Sequence, residues 1–104
     1  MTDRIEKIKA LLLENPEDNF LSHALALEYC KLGDDTTARQ LFERILQRDP
    51  GYVGTYYHLA KLLERMQHTN DAINVYQQGM QQALKTGDRH AYNELRSAYE
   101  ELTF

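Results

Sequence analysis

The stretch 22-SHALALEYCKLGDDTTARQLFERILQRDP-50 holds two short apolar stripes on either side of a glycine turn. Leu25, Ala26 and Tyr29 fall on one helical face, Gly33-Asp34-Asp35 interrupts, and Ala38, Phe42 and Ile45 resume the stripe at steps of three and four until Pro50 stops it. Gly33 can take the left-handed conformation that ends a helix, and Asp34, Asp35 and Thr36 can accept the free N–H groups that open the next. The spacing predicts a helical hairpin, antiparallel because its turn is short.

Sliding that hairpin down the chain by 34 residues takes Leu25 onto Leu59, Ala26 onto Ala60, Ala38 onto Ala72 and Phe42 onto Tyr76, size for size, and sliding it up puts Pro50 on Pro16. The chain is built of repeats. In this register, with Tyr56, Leu59, Ala60, Leu63, Ala72 and Tyr76, the residues resemble the tetratricopeptide repeat (TPR), whose pattern reads W-x2-L-G-x2-Y, then A-x3-F, then P. The resemblance covers nearly the whole chain; the single motif letters are degenerate, their joint register is specific. It implies an all-α fold, a TPR-like right-handed superhelix of about six antiparallel helices. The single domain would divide into a half repeat at 1–16, repeats at 19–52 and 53–86, and a C-terminal capping helix at 88–104.

Taken in order, the first helix is expected from Asp3 to Glu14, with Ile5, Ile8, Leu11 and Leu12 as its stripe and Arg4 where the repeat wants a small residue. Asn15-Pro16-Glu17-Asp18 breaks it, and a second helix is expected from about Pro16 to Leu32. Ser22 stands where the family often has tryptophan, which predicts a weaker contact there. The third helix is expected over Thr36 to Gln47 and the fourth over Tyr52 to Met66. Thr69 or Asn70 is placed to cap the fifth. The repeat's terminal proline is replaced by Leu84, so the fifth helix should run on to about Thr86 and stop at Gly87. Asp88 can cap the sixth, where Tyr92, Leu95, Tyr99 and Leu102 keep the stripe. Arg96 occupies the position of Ala26 and Ala60, a bulky charge tolerable only where no partner helix packs, as at the solvating end of a solenoid.

Composition bounds the rest. A chain of 104 residues has room for one domain, and 42% apolar with 27% charged residues is ordinary for a globular protein. No unbroken apolar run exceeds the four residues of Ala10 to Leu13, far too short to span a membrane, and Met1-Thr2-Asp3 leads into an amphipathic pattern without an apolar stretch, so no secretory signal is expected within these residues. The lone Cys30 fits a reducing compartment, so a cytoplasmic location is expected. A net charge of −4, interspersed in sign, argues against nucleic acid or anionic membrane.

Stacked hairpins of this family put the first helix of each repeat on a concave inner wall. The residues opposite the packed face are then Phe20, His23, Leu27, Cys30 and Lys31 on the second helix, Gly54, Tyr57, Lys61, Glu64 and Arg65 on the fourth, and His90, Asn93, Ser97 and Glu100 on the sixth. Phe20, Leu27 and Tyr57 form an apolar strip rimmed by charge, which suits a peptide or helix of a partner protein; the plainer alternative is that Phe20 and Leu27 only complete the core. The expected function is a non-catalytic protein-binding scaffold, with self-association through exposed ends or Phe104 as the alternative. Some family members grip a C-terminal carboxylate with lysine, asparagine and arginine, but His23, Leu27 and His58 stand at the first of those positions, so that ligand is not expected. His23 and Cys30 share a face but are two ligands where a tetrahedral metal site needs three or four. No phosphate loop or catalytic arrangement stands out, and no cofactor is expected. Most of the seven tyrosines sit in core register, and Lys31, Lys61 and Arg65 are offset by Glu64, Glu100 and Glu101, which makes an RNA groove the poorer reading.

Overall fold

A computed structural model describes residues 2–104, and among them the chain forms six helices and no strand. They are α1 (Thr2–Glu14), α2 (Asn19–Leu32), α3 (Asp35–Arg48), α4 (Gly54–Arg65), α5 (Thr69–Thr86) and α6 (Arg89–Thr103). Sequence neighbours pack on each other throughout, most extensively α2 on α3, α4 on α5 and α5 on α6. No helix is long and apolar enough to cross a membrane.

The helix ends follow from local chemistry. Asp18, Asp34 and Asp88 each accept a hydrogen bond from the backbone N–H three residues on, at 3.0, 3.2 and 3.0 Å, which satisfies orphan donors at the starts of α2, α3 and α6. Gly33 and Gly87 close α2 and α5 in the left-handed conformation, with φ of 81° and 74°. Three starts differ from expectation, α4 beginning at Gly54 rather than Tyr52. Pro16 lies in the turn rather than opening α2, because Asp18 supplies the cap and the helix begins at Asn19. Neither Thr69 nor Asn70 caps α5: His68 holds the capping position without a side-chain bond, and Thr69 is already helical. The α4–α5 turn has no glycine, so Gln67 itself takes the positive φ of 66°.

The core runs the length of the stack in three joined clusters: Ile5, Ile8 and Leu25 under α1; Ala26, Ala38, Phe42, Leu59 and Leu63 between the hairpins; and Tyr56, Ala60, Tyr76, Ala83 and Leu95 toward α6. Ala26, Ala38, Ala60 and Ala72 are fully enclosed, each at a point where a side chain without branches lets two helices approach. One residue of the α1 stripe falls outside this core: Leu11 is exposed while Leu12 takes the packed position, since α1 has a neighbour on one side only. Arg4 stands in solvent and pairs with Glu28 at 3.0 Å, and Arg96 pairs with Glu100 on its own helix. Ser22 is buried and accepts a hydrogen bond from Arg48 at 3.3 Å.

Candidate functional site

The face of α2 that the sequence marks for binding is brought together in space. Phe20, His23, Leu27, Cys30 and Lys31 line one hollow of about 430 Å³ with Arg4, Ala24 and Glu28. Phe20 is 72% exposed, while Leu27 and Cys30 are half-buried against the core cluster of Ala26, Phe42 and Leu63. Of the two sequence readings of the apolar strip, Phe20 therefore answers to the exposed one and Leu27 in part to the core one. Phe20 also borders a second hollow, of about 600 Å³, with Tyr52, Val53 and Gly54 from the start of α4.

A run of rings connects α2 to α4. His23 lies with its ring centroid 5.0 Å from that of His58, edge to face, and 5.3 Å from that of Phe42. His58 meets Tyr57 at 5.8 Å, and the Lys61 ammonium stands 5.7 Å from the Tyr57 ring. Such a cation over an aromatic face contributes roughly 0.5–1 kcal/mol at an exposed site. Nδ1 of His23 is 2.9 Å from Oγ1 of the fully buried Thr55, which gives that hydroxyl its partner. Burial pushes His23 down to about 4, with the neighbouring His58 adding to the effect, and burial lowers His58 as well, against the opposing charge of Glu94. Both rings are then neutral at pH 7.

Sequence reasoning set His23 beside Cys30, and the structure sets it beside His58 and Thr55. A signal for this is present in α4, where Thr55, His58 and Leu62 recur at steps of three and four as a second stripe facing α2. Among the described residues, no group of three or more His, Cys, Asp or Glu side chains is placed to hold a metal ion. Burial raises the Cys30 thiol above its ordinary range although Arg65 opposes this, which favours the protonated thiol at neutral pH.

The remaining marked residues are spread along α4 and α6. Arg65 is ion-paired with Asp35, which raises its guanidinium further. Glu64 accepts a hydrogen bond from the hydroxyl of the buried Tyr76 and also lies 3.7 Å from Lys61. It is committed to structure more than a free groove residue would be. Lys31 is exposed and shares Glu28 with Arg4, and Asn93 stands exposed on α6, apart from the α2 hollow.

The family model described as tetratricopeptide repeat matches residues 31–99. The chain belongs to the tetratricopeptide repeat family. A tetratricopeptide repeat domain protein from Salinibacter ruber, solved by NMR in solution, is 45% identical over 84% of this chain and 88% of that one, with a TM-score of 0.81. The crystal structure of a tetratricopeptide repeat domain protein from the same organism is 43% identical over 83% of this chain and 96% of that one, with a TM-score of 0.78. The TPR2B domain of yeast Sti1, solved as a complex with pHsp70, reaches a TM-score of 0.87 over 95% of this chain and 79% of that one. At 15% identity it shows the shared fold alone. A search of the curated proteins gave no match. The TPR fold is a protein-interaction module, and this chain has its six-helix form.

Proposed function

We propose that the chain is a non-catalytic interaction scaffold that holds a peptide or helix of a partner protein along the α2 and α4 faces, in the cytoplasm. The observation that carries this is Phe20, a large aromatic side chain left 72% exposed at the edge of a hollow floored by Leu27 and edged by Lys31. Burying such a ring against a partner would contribute roughly 1.5–3 kcal/mol, and the exposed Lys31, Lys61 and Arg65 edge the same faces with cations. Tyr57, half-buried and capped by Lys61, extends the strip onto α4. The complex of yeast Sti1 with pHsp70 is a precedent for partner binding on this fold. The domain plan that goes with this reading is a half repeat at 1–16, repeats at 19–52 and 53–86, and a cap at 88–104.

The test is affinity capture from native extract with wild type and a Phe20→Ala, Lys61→Ala double variant. Both side chains project into solvent, so the circular dichroism spectrum should be unchanged and the loss of stability no more than the roughly 0.5–1 kcal/mol of the Lys61–Tyr57 contact. A protein retained by the wild type and lost by the folded variant supports the reading, whereas equal retention by both overturns the groove. A second reading, self-association through the exposed Phe104, is favoured by its 94% exposure. It is decided by solution mass against concentration for wild type and Phe104→Ala.

A further inference from the structure

The ion pairs along the α2 and α4 faces do not show their two partners equally to solvent. Arg4, through Nε, and Lys31, through its ammonium, both donate to the same oxygen of Glu28, Oε2, at 3.0 and 3.1 Å. The two cationic side chains are 67% and 68% exposed, and the carboxylate side chain between them 11%. The acid lies beneath and the cations lie on top. The same order holds on α4, where Lys61 is more exposed than Glu64 and Arg65 more exposed than Asp35. Longer basic side chains do not impose this everywhere: on α3, Arg39 is 28% exposed while its partner Glu43 is 45% and its other partner Asp71 is more exposed still.

One carboxylate shared by two cations leaves donors over. Arg4 spends only its Nε on Glu28, so both Nη groups of its guanidinium stay free of acceptors among the described residues, and Lys31 keeps two of its three ammonium donors. Both residues line the hollow around Phe20, where Glu28 is the one acidic residue and Ala24, Leu27 and Cys30 are uncharged. The chain as a whole carries −4, yet this hollow turns an excess of positive charge outward. Arg4 also stands where the repeat wants a small residue, a departure that solvent permits and that packing does not call for.

We propose that the partner segment held on these faces is acidic, an internal stretch of a protein in which Asp or Glu side chains flank an apolar residue. This rests on the α2 and α4 groove proposed above and adds the chemistry of its occupant. The apolar residue packs on Phe20 and Leu27. A carboxylate on one side of it meets the free fork of Arg4, a planar pair of donors matched to two carboxylate oxygens, and one on the other side meets Lys31. Rim charges of this kind fix the sign of the partner and the speed of its approach more than the final affinity. A basic segment would instead meet two cations around Phe20, with Glu28 covered beneath them. The recognition uses side-chain carboxylates, so a free C-terminus is not needed.

The test is a selection of short random peptides displayed on phage, with the whole chain as target and its Phe20→Ala variant as the counter-target. Peptides kept by the wild type and lost by Phe20→Ala should carry Asp or Glu on both sides of an apolar residue. A synthetic copy of one, amidated at its C-terminus, should bind as tightly as the free acid. Lys31→Gln should weaken that peptide by about two- to fivefold and flatten the salt dependence of its binding. Glu28→Gln removes the covered carboxylate but leaves Arg4 and Lys31 an acceptor, and it should tighten binding by a similar factor. An ion pair that only supported the fold would make both variants weaker. Circular dichroism checks folding, and Arg4→Gln, at an exposed position, is the second cation variant should Lys31→Gln disturb it. Recovered peptides that are neutral or basic would overturn the acidic assignment and leave the groove standing. A selection in which no peptide separates wild type from Phe20→Ala would overturn the groove and this assignment with it. Weaker binding by Glu28→Gln would overturn the assignment alone, as would Phe20-dependent binding of poly(U) or of phosphatidylserine vesicles with no acidic peptide recovered.

Discussion

Gly79 is the place where one methyl group should cost the fold most. It lies inside α5, buried, where α4 and α6 both close in. A Cβ at Gly79 would stand 2.6 Å from Cβ and 2.9 Å from Cγ of Tyr56, and 3.0 Å from Cδ1 of Leu95. Carbon atoms rest about 3.5–4.0 Å apart, so α4 and α5 would have to separate by something near 1 Å. The Tyr56 side chain cannot swing away, because the clash is at its stem and its hydroxyl is tied to Pro50. Against this, alanine gains about 0.8–1 kcal/mol over glycine in a helix interior. Forcing extra volume into a packed core costs typically 1–3 kcal/mol, and a contact at a side-chain stem belongs at the upper end. The steric cost wins, and Gly79→Ala should lose about 1–2 kcal/mol, or roughly 5–15 °C of melting temperature for a domain of this size. Gly54 is the control, exposed at the first turn of α4 with no atom within 4 Å of its would-be Cβ. There the propensity gain stands alone, and Gly54→Ala should be neutral or stabilising by about 0.5 kcal/mol. Both variants are read by thermal and urea unfolding monitored at the helical band. An unchanged or raised melting temperature for Gly79→Ala would refute the close approach of α4 to α5, whatever Gly54→Ala does.

Three further expectations follow from the packing and the cluster of rings. Leu59, 3% exposed between the two hairpins, should cost about 2–5 kcal/mol when cut to alanine, and a melting shift of under a few degrees would contradict its place in the core. His23 titrates near its ordinary 6.5 when unfolded and at about 4 when folded, so the unfolded chain binds more protons in between and stability must fall as pH drops through that window. The full shift would correspond to roughly 3 kcal/mol, which solvent screening of a half-exposed ring cuts to about 1–2 kcal/mol; urea midpoints from pH 7 to 5 should show the loss, and His23→Gln with an unchanged slope would refute it. Gln67 holds a positive φ that glycine adopts freely, so Gln67→Gly should raise the urea midpoint by the equivalent of about 0.5–1 kcal/mol, and a lowered midpoint would contradict the turn geometry.

What could be read from the sequence was whatever burial forces to recur. Ala26, Ala38, Ala60 and Ala72 must be small because helices cross there, and that demand, repeated at a fixed interval, makes the fold and most helix ends legible. The misses have a different cause. Whether Asp18 or Pro16 opens α2 is decided by one local hydrogen bond, and periodicity does not register it. Leu11 fits the α1 stripe but has no helix to pack on, because position in the stack, not spacing, sets how many neighbours a helix has. The partnership of His23 with His58 crosses between repeats, so no pattern within one helix contains it, and the Thr55, His58 and Leu62 stripe becomes readable only once α4 is known to pack on two sides.

The same register shows packing compensating for itself from one repeat to the next. Leu25 and Leu59 keep their size at equivalent positions, whereas Ser22 and Tyr56 do not. The reason lies across the contact, where Gly79 faces Tyr56 and the residue one repeat earlier is the fully buried Ile45. A large side chain on one helix goes with a small one on the other, so Ser22 with Ile45 and Tyr56 with Gly79 fill equivalent space, as a close-packed interior requires. What the repeat holds constant there is the volume of the pair and not either side chain.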